Sequence, residues 1–270
     1  MQTEPWEAGN GAPDKPSVAR MYDYFLGGFH NVAIDRQAAE AVLRVFPEAS
    51  LALQANRAFL RRVVHFLTAQ GIDQFLDLGS GIPTVGNVHE VAQHANPAAR
   101  VVYVDVDPVA VEHSNAILAG NAHAMAIEAD ARHPERLLWH PDVRRLLDFR
   151  RPIGVLIVAL LHFLPDDTDA YGLVRAVREE IASGSYIAIT HGTADSMPQD
   201  IAEQTERLYA GTTNPGKYRS RSAVERFFAG FTLVDPGVVY VPLWQPEGPD
   251  DLFVREPERS INFAGVGYKS

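Results

Sequence analysis

An aspartate that closes an apolar run and sits beside a glycine turn can hold the hydroxyls of a ribose. The chain carries that arrangement in Phe75-Leu-Asp-Leu-Gly-Ser-Gly81 and, further on, Val101-Val-Tyr-Val-Asp105. In a strand-helix-strand unit the acid at the end of the second strand lies next to the turn after the first. Its carboxylate can then accept from ribose while the glycines let the backbone approach a ligand. The pattern predicts a nucleoside-bearing cofactor held by Gly79, Ser80, Gly81, Asp105 and its neighbour Val106. Asp77, near the end of the first strand, can cap the amides of the glycine loop or reach an amino group of the ligand through them.

The residues after the glycines narrow the choice. A dinucleotide fingerprint needs a third glycine at position 84, where this chain has Thr84, and a phosphate loop needs Lys and Ser or Thr after Gly86, where it has Asn87 and Val88. A cofactor with a ribose and no phosphate fits best, and S-adenosylmethionine is the common one. Asp105-Val-Asp107 also has the form of the metal-binding Asp-x-Asp of nucleotide-sugar transferases, a reading that leaves the upstream glycine turn unexplained.

His162 and His191 each follow an apolar run, at strand ends where ligands of open α/β sheets gather. Either can serve as general base for an acceptor O–H or N–H, because neutral imidazole is suited to that work near pH 7. Packing against adenine or satisfaction in the core is the competing role for both. No metal site is expected. His89-Glu90 followed by His94 departs from the zinc-protease pattern, since a spacing of five puts the imidazoles on different helix faces. The chain has no cysteine, which removes disulfides and thiol nucleophiles together.

Strand and helix patterns that would position these residues alternate from about residue 72. Strands are expected at 74–78, 101–105, 124–128, 153–161 and 185–190, with helices at 83–94, 108–118, 134–147 and 167–182 between them. Apolar strands separated by single helices require a mostly parallel sheet covered on both faces. Helices near 200–209 and 222–228 and extended segments at 231–234, 238–242 and 261–268 follow, the last suggesting an antiparallel pair at one edge. Ahead of the sheet, helical patterns at 17–26, 35–46 and 50–70, each stopped by Gly or Pro, make an N-terminal helical cap. The expected organisation is a disordered tail over 1–15, a cap over 16–71 and an α/β domain over 72–270. On the first helix Arg20, Asp23 and Tyr24 share a face, with Tyr22 turned off it.

With 270 residues, 46% of them hydrophobic, the chain is long enough for one large α/β domain. A net charge of −10 offers no general attraction to phosphate backbones and argues against nucleic acid as substrate. The N-terminal stretch lacks the layout of a signal peptide, and the longest apolar run, 153–164, is too short to span a bilayer. A soluble, cytoplasmic protein without membrane contact is expected. Oligomeric state is not legible.

Asp77-Leu-Gly-Ser-Gly81 with Asp105 resembles the class I S-adenosylmethionine-dependent methyltransferases. More narrowly, Pro16-Ser-Val-Ala-Arg-Met-Tyr-Asp-Tyr-Phe-Leu-Gly-Gly28, Asn31, Asp35-Arg36, Ala55-Asn-Arg-Ala-Phe-Leu60 and Val101-Val-Tyr-Val-Asp-Val-Asp-Pro108 are similar to a family of methyltransferases once catalogued as a domain of unknown function. The resemblance implies a Rossmann-like fold with a mostly parallel seven-stranded sheet, and S-adenosyl-L-methionine as cofactor. It implies that Asp130 and Ala131, after the third strand, hold adenine, although Asp130 can equally cap the helix beginning near 134. It implies that the first helix closes over the cleft, with Arg20 meeting the methionine carboxylate and Tyr22 or Tyr24 the sulfonium or adenine. Pro83 stands where many class I members carry another glycine. The acceptor is unassigned and expected to be a small molecule. Its pocket is expected between the cap and the loops after strands four and five, with the segment of Tyr209, Tyr218, Arg219, Arg221 and Trp244 either walling it or packing at the sheet edge. A catalytically silent S-adenosylmethionine-binding regulator and, less favoured, a nicotinamide-dependent reductase are the alternatives.

Overall fold

The computed structural model describes residues 14–82 and 86–270. Five parallel strands run β3 (Ala124–Glu128), β2 (Arg100–Asp105), β1 (Gln74–Leu78), β4 (Gly154–Ile157) and β5 (Tyr186–Gly192) across the sheet. The antiparallel strand β8 (Asn262–Tyr268) pairs with β5 and extends the sheet at that edge. Two short strands, β6 (Thr232–Leu233) and β7 (Val239–Tyr240), share its far side by pairing with different stretches of β8. Eight strands therefore fill seven positions, one strand more than the sequence led us to expect. The order reverses between β1 and β4, and the crevice beyond the carboxyl ends of the strands at such a switch point is where open α/β sheets take ligands.

Helices cover both faces. On one lie α6 (Pro134–Leu138), α7 (Pro141–Leu146), α8 (Asp167–Glu180) and α10 (Arg221–Glu225), whose apolar residues join Leu76, Leu78, Val102 and Val104 of the sheet. On the other, α3 (Ala49–Ala69) and α4 (Val88–Ala95) pack against Phe75, Val101, Tyr103 and Leu156. The period-two alternation of the strands explains the division: Leu76 and Leu78 point one way, Phe75 and Asp77 the other. α5 (Pro108–Ile117) follows β2 and contacts β3, and no helix among the described residues is long and apolar enough to cross a membrane.

Some boundaries differ from the sequence reading for local reasons. Pro141, which has no N–H to donate, starts a new helix where one continuous helix was expected over 134–147. α4 begins at Val88, where Glu90 Oε2 accepts from the Gly86 and Asn87 amides at 2.9 and 2.8 Å; Pro83 lies outside the described residues. The fourth strand stops at Ile157 because Ala159 adopts φ 59°, which no strand accommodates.

The cap is not a separate layer. α1 (Val18–Phe25) and α2 (Ala33–Val45) share a small cluster of Met21, Phe25, Ala39 and Val42, but α3 belongs to the core of the sheet through Phe59, Val63, Val64 and Leu67. Phe59 is fully buried with the indole of Trp244 edge-on at 5.3 Å. Phe59→Ala is expected to cost about 3–5 kcal/mol by chemical denaturation. A loss near that of an exposed position would show that α3 is dispensable to the core.

Candidate functional site

A cleft of about 700 Å³ opens beyond the carboxyl ends of β1 to β4. Gly79, Ser80, Gly81, Asp105, Val106, Asp130 and Ala131 stand in its wall with Asp77, and α1 contributes Arg20 and Tyr22. The glycine turn is fixed by β2, since the Gly79 and Ser80 amides donate to the Val104 carbonyl at 2.8 and 3.1 Å. Gly79 and Gly81 have φ of 71° and 63°, in the left-handed region that favours glycine. A Cβ at Gly79 would meet Leu160 Cδ1 at 2.8 Å, so a side chain is barred there by packing as well. At Gly81 such a Cβ would meet nothing within 4 Å, and the backbone lies open beside the cleft.

Asp105 joins two loops: its Oδ2 accepts from Gly81 N at 2.7 Å and its Oδ1 from Asp107 N at 2.9 Å. Burial raises its pKa, against these amide hydrogen bonds that lower it. Asp77 is buried, and loss of water pushes its carboxyl up to about 7, with Arg57 drawing it down and Asp105 adding to the rise. Asp130 is clamped by Arg132, whose Nε and Nη2 reach it at 2.9 and 2.6 Å, and that hydrogen-bonded pairing lowers its pKa. The cap of the helix beginning at Pro134 is His133, so Asp130 does not take the N-cap role.

The residues of α1 divide between the cleft and partners within the protein. Arg20 is buried in an ion pair with Asp35 at 2.7 Å and reaches Asp107 at 3.4 Å, so its guanidinium is engaged within the protein. Asp23 and Tyr24 do not share in the cleft: Asp23 accepts from His30 N and Asn31 Nδ2, and Tyr24 donates to Glu40. Tyr22, which the helical pattern turned away from the others, is the tyrosine that lines the cleft. Of the expected tail, residues 1–13 lie outside the described residues, while Asp14 and Lys15 belong to the cleft wall.

A second cavity, of about 90 Å³, adjoins the first and shares Val18, Tyr22, Ala159 and Phe163 with it. It contains His162, Tyr209 and Tyr218, as well as Glu206 from α9 (Gln199–Ala210). His162 Nδ1 accepts from Gly192 N at 3.3 Å, which leaves the proton of the neutral ring on Nε2. Burial and the nearby Arg219 push its pKa down to about 3. His191 is fully buried and lines neither cavity. Its Nε2 faces Arg219 Nη1 at 2.9 Å, a group that only donates, and its Nδ1 then donates to the Gly192 carbonyl at 2.7 Å. With their accepting nitrogens on Gly192 N and facing Arg219, neither His162 nor His191 is set to receive a substrate proton, and the general-base expectation is corrected for both. Three of the proposed wall residues also fall elsewhere. Trp244 lies in the core under α3, Arg219 is held by Asp167 and the carbonyls of Leu161 and Leu164, and Arg221 pairs on the surface with Glu225.

Arg57 and Leu60 of α3, quoted above only within a family motif, and Leu160 and Phe163 after β4 also line the cleft and were not given a site role from sequence. Arg57 had a signal. It is a cation one step off the apolar face that buries Ala55, Asn56, Phe59 and Leu60.

The chain is similar to proteins of one family along nearly its whole length. Residues 8–270 match the family described as S-adenosyl methyltransferase. A crystal structure from Thermobifida fusca, assigned to the methyltransferases, is 42% identical with a TM-score of 0.88, covering 95% of this chain and 96% of its own. A DUF574 family protein from Streptomyces avermitilis is 37% identical with a TM-score of 0.89, covering 95% and 98%. Human N-acetylserotonin methyltransferase, solved in complex with SAM, is 14% identical with a TM-score of 0.50 over 91% of this chain and 62% of its own, a likeness of fold. No curated protein matches the sequence. The family match and the two high-identity structures agree with the glycine turn, the β2 acid and the class I sheet: the chain belongs to the S-adenosyl methyltransferase family, and it is a methyltransferase.

Proposed function

We propose that the protein binds S-adenosylmethionine in the large cleft and passes its methyl group to a small-molecule acceptor. The observation that carries this reading is Asp105, buried at the end of β2 with its carboxylate on the Gly81 amide and at the wall of a cleft of about 700 Å³. That volume lies within the range of small-molecule sites, and the donor set suits an adenosyl group. Asp105 serves the ribose hydroxyls, Val106 and Ala131 give the adenine apolar contact, and Asp130 faces its amine. Asp77 takes the ammonium of the methionine moiety, and Arg57, near enough to lower the Asp77 pKa, is placed for its carboxylate. When bound, the cofactor supplies a methyl group activated on a sulfonium. The protein contributes alignment and exclusion of water, Val18, Ala19, Arg20 and Tyr22 of α1 forming one wall of the cleft.

Calorimetry and thermal shift test the reading. S-adenosylmethionine and S-adenosylhomocysteine are expected to bind and to raise Tm, and NAD is not. Asp105→Asn, which keeps the shape of the side chain, is expected to lower affinity about 10- to 100-fold, the effect of one charge-assisted hydrogen bond. Stabilisation by NAD alone would overturn the reading. Binding without any S-adenosylhomocysteine production from a metabolite extract would favour the silent regulator.

A further inference from the structure

We infer that the second cavity is the acceptor subsite and that its acceptor is a small amine, held as its ammonium between Glu206 and the aromatic rings around it. The inference rests on the cofactor reading of the adjoining cleft.

The two cavities meet along Val18, Tyr22, Ala159 and Phe163, so a group in the smaller one lies next to whatever fills the larger. Ala159 sits at that junction with φ 59°, a backbone setting that alanine adopts only at a cost, and its N–H donates to Thr190 Oγ1 at 2.9 Å. A strained residue held in place where two cavities meet is a mark of a functional site.

The smaller cavity is suited to a cation. Tyr22, Phe163, Tyr209 and Tyr218 line it, with Phe163 and Tyr209 rings 5.6 Å apart, and the faces of such rings attract an ammonium. Burial pushes the Tyr218 hydroxyl up to about 12, so that ring stays neutral. Glu206 is the carboxylate of the lining; its Oε1 accepts from Tyr218 N at 3.0 Å, and it makes no ion pair among the described residues. The lining cation, Lys217, is spent on Asp167 and the Pro165 carbonyl. At about 90 Å³ the space equals roughly three waters, enough for an amine and its first carbons.

The charge flow of the reaction agrees. The amine reacts as the fraction that has lost one proton to bulk water before the cleft closes, which an amine does far more readily than a hydroxyl. The nitrogen lone pair then forms the new N–C bond while the C–S bond breaks with its electrons going to sulfur, leaving a neutral thioether and a methylated ammonium. Positive charge therefore moves from sulfur to nitrogen, toward Glu206, which stabilises it as it develops. A hydroxyl acceptor would instead need a base, and the lining imidazole, His162, has its accepting nitrogen on Gly192 N.

The experiment is calorimetry on the S-adenosylhomocysteine complex with ethylamine and propylamine, against ethanol and 1-propanol. Wild type is expected to bind the amines at least tenfold more tightly. Glu206→Gln, whose amide oxygen can still accept from Tyr218 N, is expected to lose that preference while keeping its affinity for S-adenosylhomocysteine. Alcohols binding as well as amines to wild type, a preference that survives in Glu206→Gln, or no binding of any of the four would overturn the inference with the cofactor reading intact. Failure of S-adenosylhomocysteine to bind wild type would remove both.

Discussion

Asp77→Asn is expected to make the ligand-free protein more stable above neutral pH while weakening S-adenosylmethionine binding. In the unfolded chain an aspartate is ionised above about pH 4. In the folded protein this one keeps its proton up to about pH 7, because burial opposes the charge more than Arg57 favours it. The folded state thus binds more protons between those values, and stability falls as pH rises through the window, then levels off. With each pH unit linked to about 1.4 kcal/mol, the decline approaches about 4 kcal/mol across it, and it should be absent in Asp77→Asn. An ammonium placed beside the carboxylate offsets the cost of ionising it, so wild-type affinity should rise with pH toward 7 and level off above it. Urea unfolding at pH 5 and pH 8, with calorimetry at both, measures the two trends. Equal pH slopes for wild type and Asp77→Asn would place the titration elsewhere.

Arg20→Ala is expected to cost about 3–5 kcal/mol, the usual penalty when one partner of a buried ion pair is removed. The substitution strands Asp35, which is fully buried and also accepts from Ser17 N and Val32 N at 2.8 and 2.9 Å. It also loosens the tie to Asp107, leaving Ser17 Oγ at 2.6 Å as the remaining side-chain link from α1 to the loop after β2. This mechanism differs from a contact with the methionine carboxylate, and the ligands separate the two. 5′-Methylthioadenosine has no carboxylate. If Arg20 acts by docking the cap, its affinity and that of S-adenosylhomocysteine should fall by similar factors. A selective loss for S-adenosylhomocysteine would return Arg20 to the carboxylate role.

The parts of the molecule set by short-range pattern were legible in the sequence. Apolar runs ending at Leu78, Asp105 and Glu128 became strands in the expected places, and the glycine turn met Asp105 as the strand-helix-strand argument required. What escaped was decided by tertiary partners. Helical periodicity correctly grouped Arg20 with Asp23 and apart from Tyr22, but could not say which side would face the cleft. Asp23 turned inward to Asn31, while Arg20 pairs with Asp35 yet stands at the cleft wall together with Tyr22. The two histidines were legible as strand-end residues. Their proton positions depend on Arg219 and Gly192, partners that no spacing rule brings to mind. Likewise α3 read as part of a cap because it precedes the first strand, although its apolar face is the sheet's own cover.

Beyond Val18, Tyr22, Ala159 and Phe163, which both cavities use, much of each wall comes from a different part of the chain. Strand ends and the turns after them, at 77–82, 104–109 and 129–132, line the larger cavity, where a changed residue disturbs the sheet itself. The smaller cavity draws Glu206 and Tyr209 from α9 and Gly216, Lys217 and Tyr218 from the segment after it, outside the strand-helix-strand framework. Substitutions there can accumulate with little effect on the sheet. Under the proposed assignment of the two cavities, a lineage with this scaffold is free to exchange one acceptor for another through α9 and residues 216–218 while inheriting the donor side unaltered.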